Sequence, residues 1–302
     1  MSALNSVILF IILLLVRLSL ENIMQNWIIA LLGSALFLFS LIAHAEEKAL
    51  TADDAAKELA NPNTPLASLN FKNQFRWFDG DLPNADSQSS YTLLFQPSLP
   101  FPLDDGGLIF FRPAIPLVAN QPVPAGSGFN EESGMGDIVF DLAYAPKRDD
   151  GLLVAYGIVS SLPTATNDAL GSDRFTLGPE VLYGKLTKEY VLGVFPNHQW
   201  SVGGSGEKDI SLTTIQVFAS VLPGGGWNYG TGPILNYDWE SEQWTVPLNF
   251  NFGKTVIWNK KPWKLSMEIN YYVERADAFA PEWMIGFNIT PVVKNGLTSW
   301  FK

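Results

Sequence analysis

The chain contains strand-length segments in which apolar and polar residues alternate. Between positions 264 and 274 no residue breaks the alternation, and every second side chain is apolar: Leu265, Met267, Ile269, Tyr271 and Val273. The segments 243–253 and 282–290 repeat the pattern, with Pro247 as one weak position. Successive side chains of a β-strand point to opposite faces, so each segment predicts a strand with one apolar face. The pattern predicts an all-β protein.

Twelve strands are predicted after residue 65. Their bounds are 66–78, 91–103, 107–118, 135–146, 151–163, 174–186, 190–201, 210–222, 227–239, 243–257, 263–275 and 282–293. Tight turns, such as 104–106 and 224–226, alternate with longer polar loops, which are clearest at 79–90, 119–134, 164–173 and 202–209; the break near Glu240 is an exception. Short turns at one rim and long loops at the other are typical of bacterial outer-membrane barrels. The sequence thus predicts a transmembrane antiparallel up-and-down β-barrel of about 12 strands over residues 66–302.

The positions of tryptophan favour a membrane environment. Most of the tryptophans lie within a few residues of a predicted strand end: Trp77, Trp200, Trp227, Trp239, Trp244, Trp258, Trp263 and Trp283. An indole ring with its N–H suits the boundary between lipid and water. The low charged fraction of 16% agrees with an exterior that is not all water. A soluble β-sandwich would also have alternating strands, so it stays open as the alternative fold.

Residues 1–45 are interpreted as a signal peptide. An apolar run over 27–43 ends in Ala43-His44-Ala45, the small-x-small pattern that signal peptidase accepts, and acidic residues follow it. A second apolar run at 7–16 precedes this one, and Met24 is an alternative start for a signal of ordinary length. The rival interpretation is a membrane anchor, which needs an apolar stretch of roughly 20 residues. The earlier run is too short for that, so we expect export through the inner membrane.

Residues 46–65 are expected to form a periplasmic lead, either a short helix or a flexible segment. This stretch is rich in alanine and acidic residues. Thr51 is a suitable helix cap, and Pro62 and Pro65 are suitable stops.

The residue content argues against several kinds of chemistry. A net charge of -11 argues against a nucleic-acid partner. Cysteine is absent, which excludes thiolate catalysis and cysteine metal sites. His198 and Ser201 are three positions apart, so a strand directs them to opposite faces and they cannot form a nucleophile–base pair. We therefore expect no enzyme activity, no catalytic residues, no cofactor and no metal site.

Short stretches spread over about half of the chain resemble a known family. They are residues 134–137, 162–166 with 170–172, 178–179, 197–201, 239 with 244–248, and 271–275. In this order they resemble the outer-membrane family named for the meta-pathway of phenol degradation, especially its transporter-like members sometimes labelled neuromedin U. The resemblance implies a barrel and the passage of small hydrophobic or aromatic compounds. The chain departs from the family at its end, where residues 293–296 interrupt the aromatic-rich last strand before Trp300-Phe301-Lys302.

If the apolar faces meet lipid, the polar faces line the lumen. The predicted lumen-lining residues are Lys72, Arg76, Arg112, Asp137, Asp141, Glu180, Asn249, Asn251, Glu268, Asn270, Glu274 and Glu282. Arg76 and Arg112, on neighbouring early strands and facing acids from late strands, would form a constriction that selects solutes by charge. The other interpretation is that these charges pair and hydrate one another and simply fill a narrow barrel.

The predicted function is an outer-membrane channel or transporter for small solutes, hydrophobic or aromatic ones if the family resemblance holds. The alternative is a structural or adhesive barrel with a filled lumen, whose long loops bind a partner outside the cell. The expected partners are outer-membrane lipid, a small-molecule solute and the barrel assembly machinery during biogenesis.

Overall fold

The computed structural model describes residues 50–301. These residues contain the helix α1 (Ala52–Ala60) and the strands β1 (Ala67–Asp79), β2 (Ser89–Pro102), β3 (Leu108–Ala125), β4 (Gly128–Met135), β5 (Ile138–Ala145), β6 (Leu152–Leu162), β7 (Arg174–Leu186), β8 (Tyr190–Gly204), β9 (Ser211–Gly224), β10 (Trp227–Thr231), β11 (Ile234–Asp238), β12 (Gln243–Trp258), β13 (Lys261–Glu274) and β14 (Ala280–Val293). Short 3₁₀ turns occur at Ala85–Ser87, Asp168–Leu170 and Gly296–Phe301, the last of which is not part of the compact unit Leu50–Asn295. Within residues 50–301, no helix is long and apolar enough to cross a membrane.

The strands form one closed antiparallel barrel. The strands pair in order around the ring, with β4 and β5 both beside β3 and with β10 and β11 both between β9 and β12, and β1 closes the ring by pairing with β14. Two strands are interrupted: β4 and β5 are separated by Gly136-Asp137, and β10 and β11 by Gly232-Pro233. The fourteen segments thus make twelve wall strands, which confirms the predicted up-and-down barrel.

The predicted strand bounds agree closely with the structure, except at one loop. The predicted strand 174–186 is β7 (Arg174–Leu186). The predicted long loop 119–134 is wrong, because β3 and β4 continue through it as a paired hairpin with Val123 opposite Asn130. Pro122 and Pro124 fit into β3 because its pairing with β2 ends at Asn120, and prolines are tolerated where a strand has a free edge.

The outer face of the barrel is apolar. On β7 the outward side chains are 42% to 59% exposed: Phe175, Leu177, Val181 and Tyr183. The side chains between them are 1% to 2% exposed: Thr176, Glu180 and Leu182. Exposed apolar surface of this extent is unfavourable in water, and a closed ladder leaves no unpaired backbone edge. This face therefore lies against lipid.

Tryptophans ring both rims of this apolar face. At the short-turn rim Trp227 and Trp258 are 47% and 66% exposed. At the long-loop rim five more are exposed: Trp77, Trp200, Trp239, Trp244 and Trp283. Two aromatic girdles at the membrane–water boundaries are typical of transmembrane barrels.

The helix α1 lies across the lumen at the short-turn rim. Thr51 caps it by accepting a hydrogen bond from the Asp54 backbone N–H at 3.1 Å, as the sequence predicts. The Asp53 carboxylate accepts a hydrogen bond from the backbone N–H of Gly226 in the β9–β10 turn. Beyond the helix, Asn63 donates to a backbone carbonyl of β6 at 3.1 Å. The predicted signal peptide and the start of the predicted lead lie outside the described residues.

Next to α1, the lumen is filled by apolar side chains. The cluster, called the luminal core below, takes inward positions near the short turns: Phe110, Ala143, Ala145, Leu153, Ala155, Leu182 and Val191. Ala60 of α1, Phe195 and Phe218 pack against it. The expectation that the inward face is polar throughout is therefore wrong at this end, where the lead and the wall form a hydrophobic core inside the barrel.

Candidate functional site

A belt of charged side chains lies above the luminal core. Arg112 on β3 and Asp141 on β5 form an ion pair with an Nε–Oδ1 distance of 2.6 Å, and their side chains are 17% and 15% exposed. The Arg112 guanidinium also lies 5.2 Å from the ring centroid of Phe195. Lys72 on β1 interacts electrostatically with Glu268 on β13, with Arg112 and with Asp141. The belt therefore marks the boundary between the apolar and the polar parts of the lumen.

The predicted constriction of Arg76 and Arg112 has a different geometry in the structure. The two arginines are not on neighbouring strands, because β2 lies between β1 and β3. Arg112 pairs with an acid of the adjacent strand rather than with one from a late strand. The predicted pairing of Arg112 with acids of late strands was wrong, because side chains on hydrogen-bonded neighbouring strands lie closer together than side chains on opposite walls.

Glu180 on β7 lies beside this belt. It is 2% exposed, and its Oε1 has no hydrogen-bond partner among the described residues. An ionised carboxylate in such a position loses hydration without a compensating donor.

The predicted asparagines form one network on the inward face. Asn249 donates to Asn270 at 2.8 Å, and Asn251 donates to Asn249 at 3.3 Å. The Asn249 side chain also accepts from the Gly232 backbone N–H at 2.6 Å. This last bond satisfies a backbone N–H at Gly232-Pro233, where the wall strand made of β10 and β11 is interrupted.

Glu274 and Glu282 lie at the long-loop rim. Glu282 contacts Arg275 at 3.5 Å, and Arg275 also pairs with Asp79 at 2.9 Å. Glu274 is exposed in a small depression beside these residues. These charges surround the entrance rather than the interior.

Asp137 holds the β6–β7 loop against the wall. Its Oδ1 accepts from the backbone N–H groups of Thr164 and Ala165, each at 3.0 Å. Its Oδ2 accepts from the backbone N–H and the hydroxyl of Ser172 at 2.7 and 2.9 Å. Four donors therefore disperse the charge of this carboxylate.

A cavity of about 850 Å³ occupies the long-loop half of the lumen. Its lining is mainly apolar and includes Leu94, Pro116, Val118, Val123 and Leu170. Phe78 and Phe279 also line it; their rings stack at a centroid distance of 4.7 Å, and Phe129 of the β3–β4 hairpin lies 4.5 Å from Phe279. Cavities of roughly 300–1,000 Å³ with such linings are typical of small-molecule sites.

Arg76 lies on the wall of this cavity. One of its terminal nitrogens donates to Gln74 Oε1 at 2.6 Å, and the other lies 3.4 Å from Thr92 Oγ1. Tyr272 is a further hydrogen-bond partner, and all three are neutral. The cavity therefore combines a large apolar surface with one cationic group.

Sequence reasoning missed two kinds of lumen residue. Lys264 lies on the inward face of β13 beside Lys72 and was left out, although its alternation pattern shows it. The apolar lining of the cavity was also missed, because apolar residues were assigned to the lipid face.

His198 lies on the outer face of β8. Its ring lies 4.2 Å from the ring of Trp200, and its Nδ1 is 2.7 Å from Thr213 Oγ1. Ser201 is engaged separately, since its hydroxyl accepts from the Ile210 backbone N–H at 2.6 Å. The two residues therefore do not form a catalytic pair.

The fold resembles those of outer-membrane channels of known structure. The COG4313 outer membrane channel from Pseudomonas putida F1 matches 84% of this chain and 100% of its own, with a TM-score of 0.60 and 12% sequence identity. The NanC porin matches 75% of this chain and 99% of its own, at 12% identity with a TM-score of 0.47. The KdgM porin matches the same shares at 11% identity with a TM-score of 0.45.

At these identities the likeness establishes the barrel fold alone. No family model and no curated protein matches the chain. The resemblance to the phenol meta-pathway family stays a prediction.

Proposed function

We propose that the protein is an outer-membrane channel for small hydrophobic or aromatic solutes. The apolar cavity in the long-loop half of the lumen carries this proposal. An apolar solute gains free energy when it leaves water for such a surface, by about 25 cal/mol for each Å² buried. A wall of aliphatic, proline and phenylalanine side chains therefore favours the binding of a hydrophobic solute.

The path proposed for the solute runs from the long loops through this cavity and past the charged belt. The luminal core and α1 lie between the belt and the periplasmic rim. Passage therefore requires α1 to move away from the β9–β10 turn. The helix is short, and besides the packing of Ala60 against the luminal core, its docking on that turn uses the Asp53 carboxylate.

The test is the entry of a hydrophobic aromatic probe into cells with intact lipopolysaccharide. The probe 1-N-phenylnaphthylamine becomes fluorescent when it leaves water, so its entry rate is read directly. Cells that produce the native protein should take it up faster than cells that lack it. Val118→Trp, which fills the cavity, should reduce the rate to that of cells without the protein.

Val181→Trp is the matched control, because Val181 faces lipid and is 46% exposed. It should leave the uptake rate unchanged. Equal uptake by native and Val118→Trp cells would contradict the proposal.

The filled periplasmic half of the lumen favours a second candidate, a structural or adhesive barrel. In that case the β3–β4 hairpin would be the binding element outside the cell. Replacing residues 120–133 by a short turn should then abolish attachment of cells to a surface, whereas Val118→Trp should have no effect on it.

A further inference from the structure

Arg76 differs from the other described arginines in its partners. Of the five arginines in residues 50–301, four have a carboxylate oxygen within 3.1 Å: Arg112, Arg148, Arg174 and Arg275. In the same part of the chain, no carboxylate oxygen lies within 4.0 Å of the Arg76 guanidinium. Its hydrogen-bond partners Gln74, Thr92 and Tyr272 are neutral. The positive charge of Arg76 is therefore not neutralised by a direct ion pair.

The acid that lines the same cavity does not compensate for this charge. Both carboxylate oxygens of Asp137 accept hydrogen bonds, four in all, from donors of the β6–β7 loop. Its negative charge is thereby dispersed into that loop. The cavity therefore contains one guanidinium, Arg76, that no lining carboxylate contacts.

The surroundings of Arg76 make this charge effective. The nearby lining includes the apolar side chains of Leu94, Pro116 and Val118, which lower the local dielectric constant. Electrostatic attraction is stronger in such a low-dielectric site than in water. A guanidinium also matches a carboxylate geometrically, because two parallel N–H groups can donate to its two oxygens.

We propose that the cavity binds small hydrophobic carboxylates, with the carboxylate on Arg76 and the apolar tail along Leu94, Pro116 and Val118. This inference rests on the proposed function and names its preferred solute class. A neutral hydrocarbon fits the apolar wall but leaves the guanidinium without an anion. The acid uses both features of the site.

The test compares two probes of nearly equal shape, 4-phenylbutyrate and 4-phenylbutan-1-ol. Both are titrated calorimetrically into the native protein in lipid nanodiscs. The acid should bind at least about tenfold tighter than the alcohol, because a charge-assisted bidentate contact is worth more than one neutral hydrogen bond. Arg76→Gln should remove this preference, and Arg76→Lys should retain part of it.

Arg148→Gln is the matched control, since it removes the same charge at the β5–β6 turn of the short-turn rim, whereas the cavity lies in the long-loop half. Its preference for the acid should equal that of the native protein. A migration shift on gels between unheated and boiled samples shows that each variant is folded.

The outcomes separate this inference from the proposed function. If the native protein binds acid and alcohol equally well, the proposed function stands and the preference for carboxylates is refuted. If only Arg76→Gln binds the two probes equally well, both the proposed function and the preference are supported. If Arg76→Gln keeps the full preference of the native protein, Arg76 is not the anion site and the inference is overturned. If the native protein binds neither probe, the cavity is not a solute site and both proposals fail.

Discussion

Two ion pairs of equal length in this barrel should differ strongly in their contribution to stability. The Arg112–Asp141 and Arg148–Asp150 pairs both have an N–O distance of 2.6 Å. The first pair lies in the lumen with side chains 17% and 15% exposed, whereas the second lies in a turn with side chains 39% and 53% exposed. Arg112→Met leaves Asp141 without its ion-pair partner above an apolar core, with Lys72 as the remaining nearby cation.

Breaking a fully buried pair costs about 3–5 kcal/mol. The remaining exposure of the luminal pair allows some hydration, so we expect a loss of about 2–4 kcal/mol for Arg112→Met. A double-mutant cycle with Asp141→Asn should give a coupling energy of about 2 kcal/mol or more. The corresponding cycle with Arg148→Met and Asp150→Asn should give about 0–1 kcal/mol, as exposed pairs do.

The assay is reversible unfolding in urea from lipid vesicles, followed by tryptophan fluorescence. Equal coupling energies below about 1 kcal/mol for both cycles would refute the reasoning. That result would mean that the charged belt is as hydrated as the surface and that the luminal core does not exclude water from it.

Three further substitutions are tested by the same unfolding assay. Gly178→Ala should cost at least roughly 2 kcal/mol, because its Cβ would lie 1.5 Å from a carbonyl oxygen of β8, whereas Gly203→Ala, with nothing within 4 Å, should cost less than about 0.5 kcal/mol. Equal effects would contradict this. Asn249→Ala should cost about 1–3 kcal/mol, because the Gly232 N–H loses its acceptor; an unchanged stability would show that water replaces the amide. Glu180→Gln should be neutral or stabilising, since Oε1 has no partner among the described residues, and a loss above about 1 kcal/mol would show that the charge is needed.

The wall of the barrel could be predicted from sequence because its strands alternate over most of their length. The inward and outward sides of β7 follow directly from parity, and its predicted bounds agree with the structure. Every strand of the wall presents one face to the same lipid, so the outward positions of all strands are apolar. Local sequence is then sufficient.

The lumen could not be predicted in the same way, because its contents depend on which parts of the chain meet inside. Phe110 and Leu182 were assigned to no site, since the inward face was expected to be polar. A signal for the luminal core exists, however. Near the short turns the segments 108–111 and 152–155 are apolar at every position, which indicates strands that are apolar on both faces.

The partners of individual charges were also beyond sequence reasoning. Asp137 was predicted to line the lumen, and it does line the cavity, but its carboxylate serves the β6–β7 loop. Arg112 forms its ion pair with Asp141 on the adjacent strand β5. Parity gives the side of the wall, whereas pairing depends on register, which a shift of one or two residues changes.

Single-channel recording in planar lipid bilayers tests most directly whether the lumen conducts solutes. Native protein should give discrete conductance steps, because α1 can leave its site on the β9–β10 turn. Asp53→Ala removes the carboxylate that accepts from the Gly226 N–H, so its steps should be larger or more frequent than those of the native protein. Flat current traces from both proteins at every applied potential would contradict the channel and leave a filled barrel.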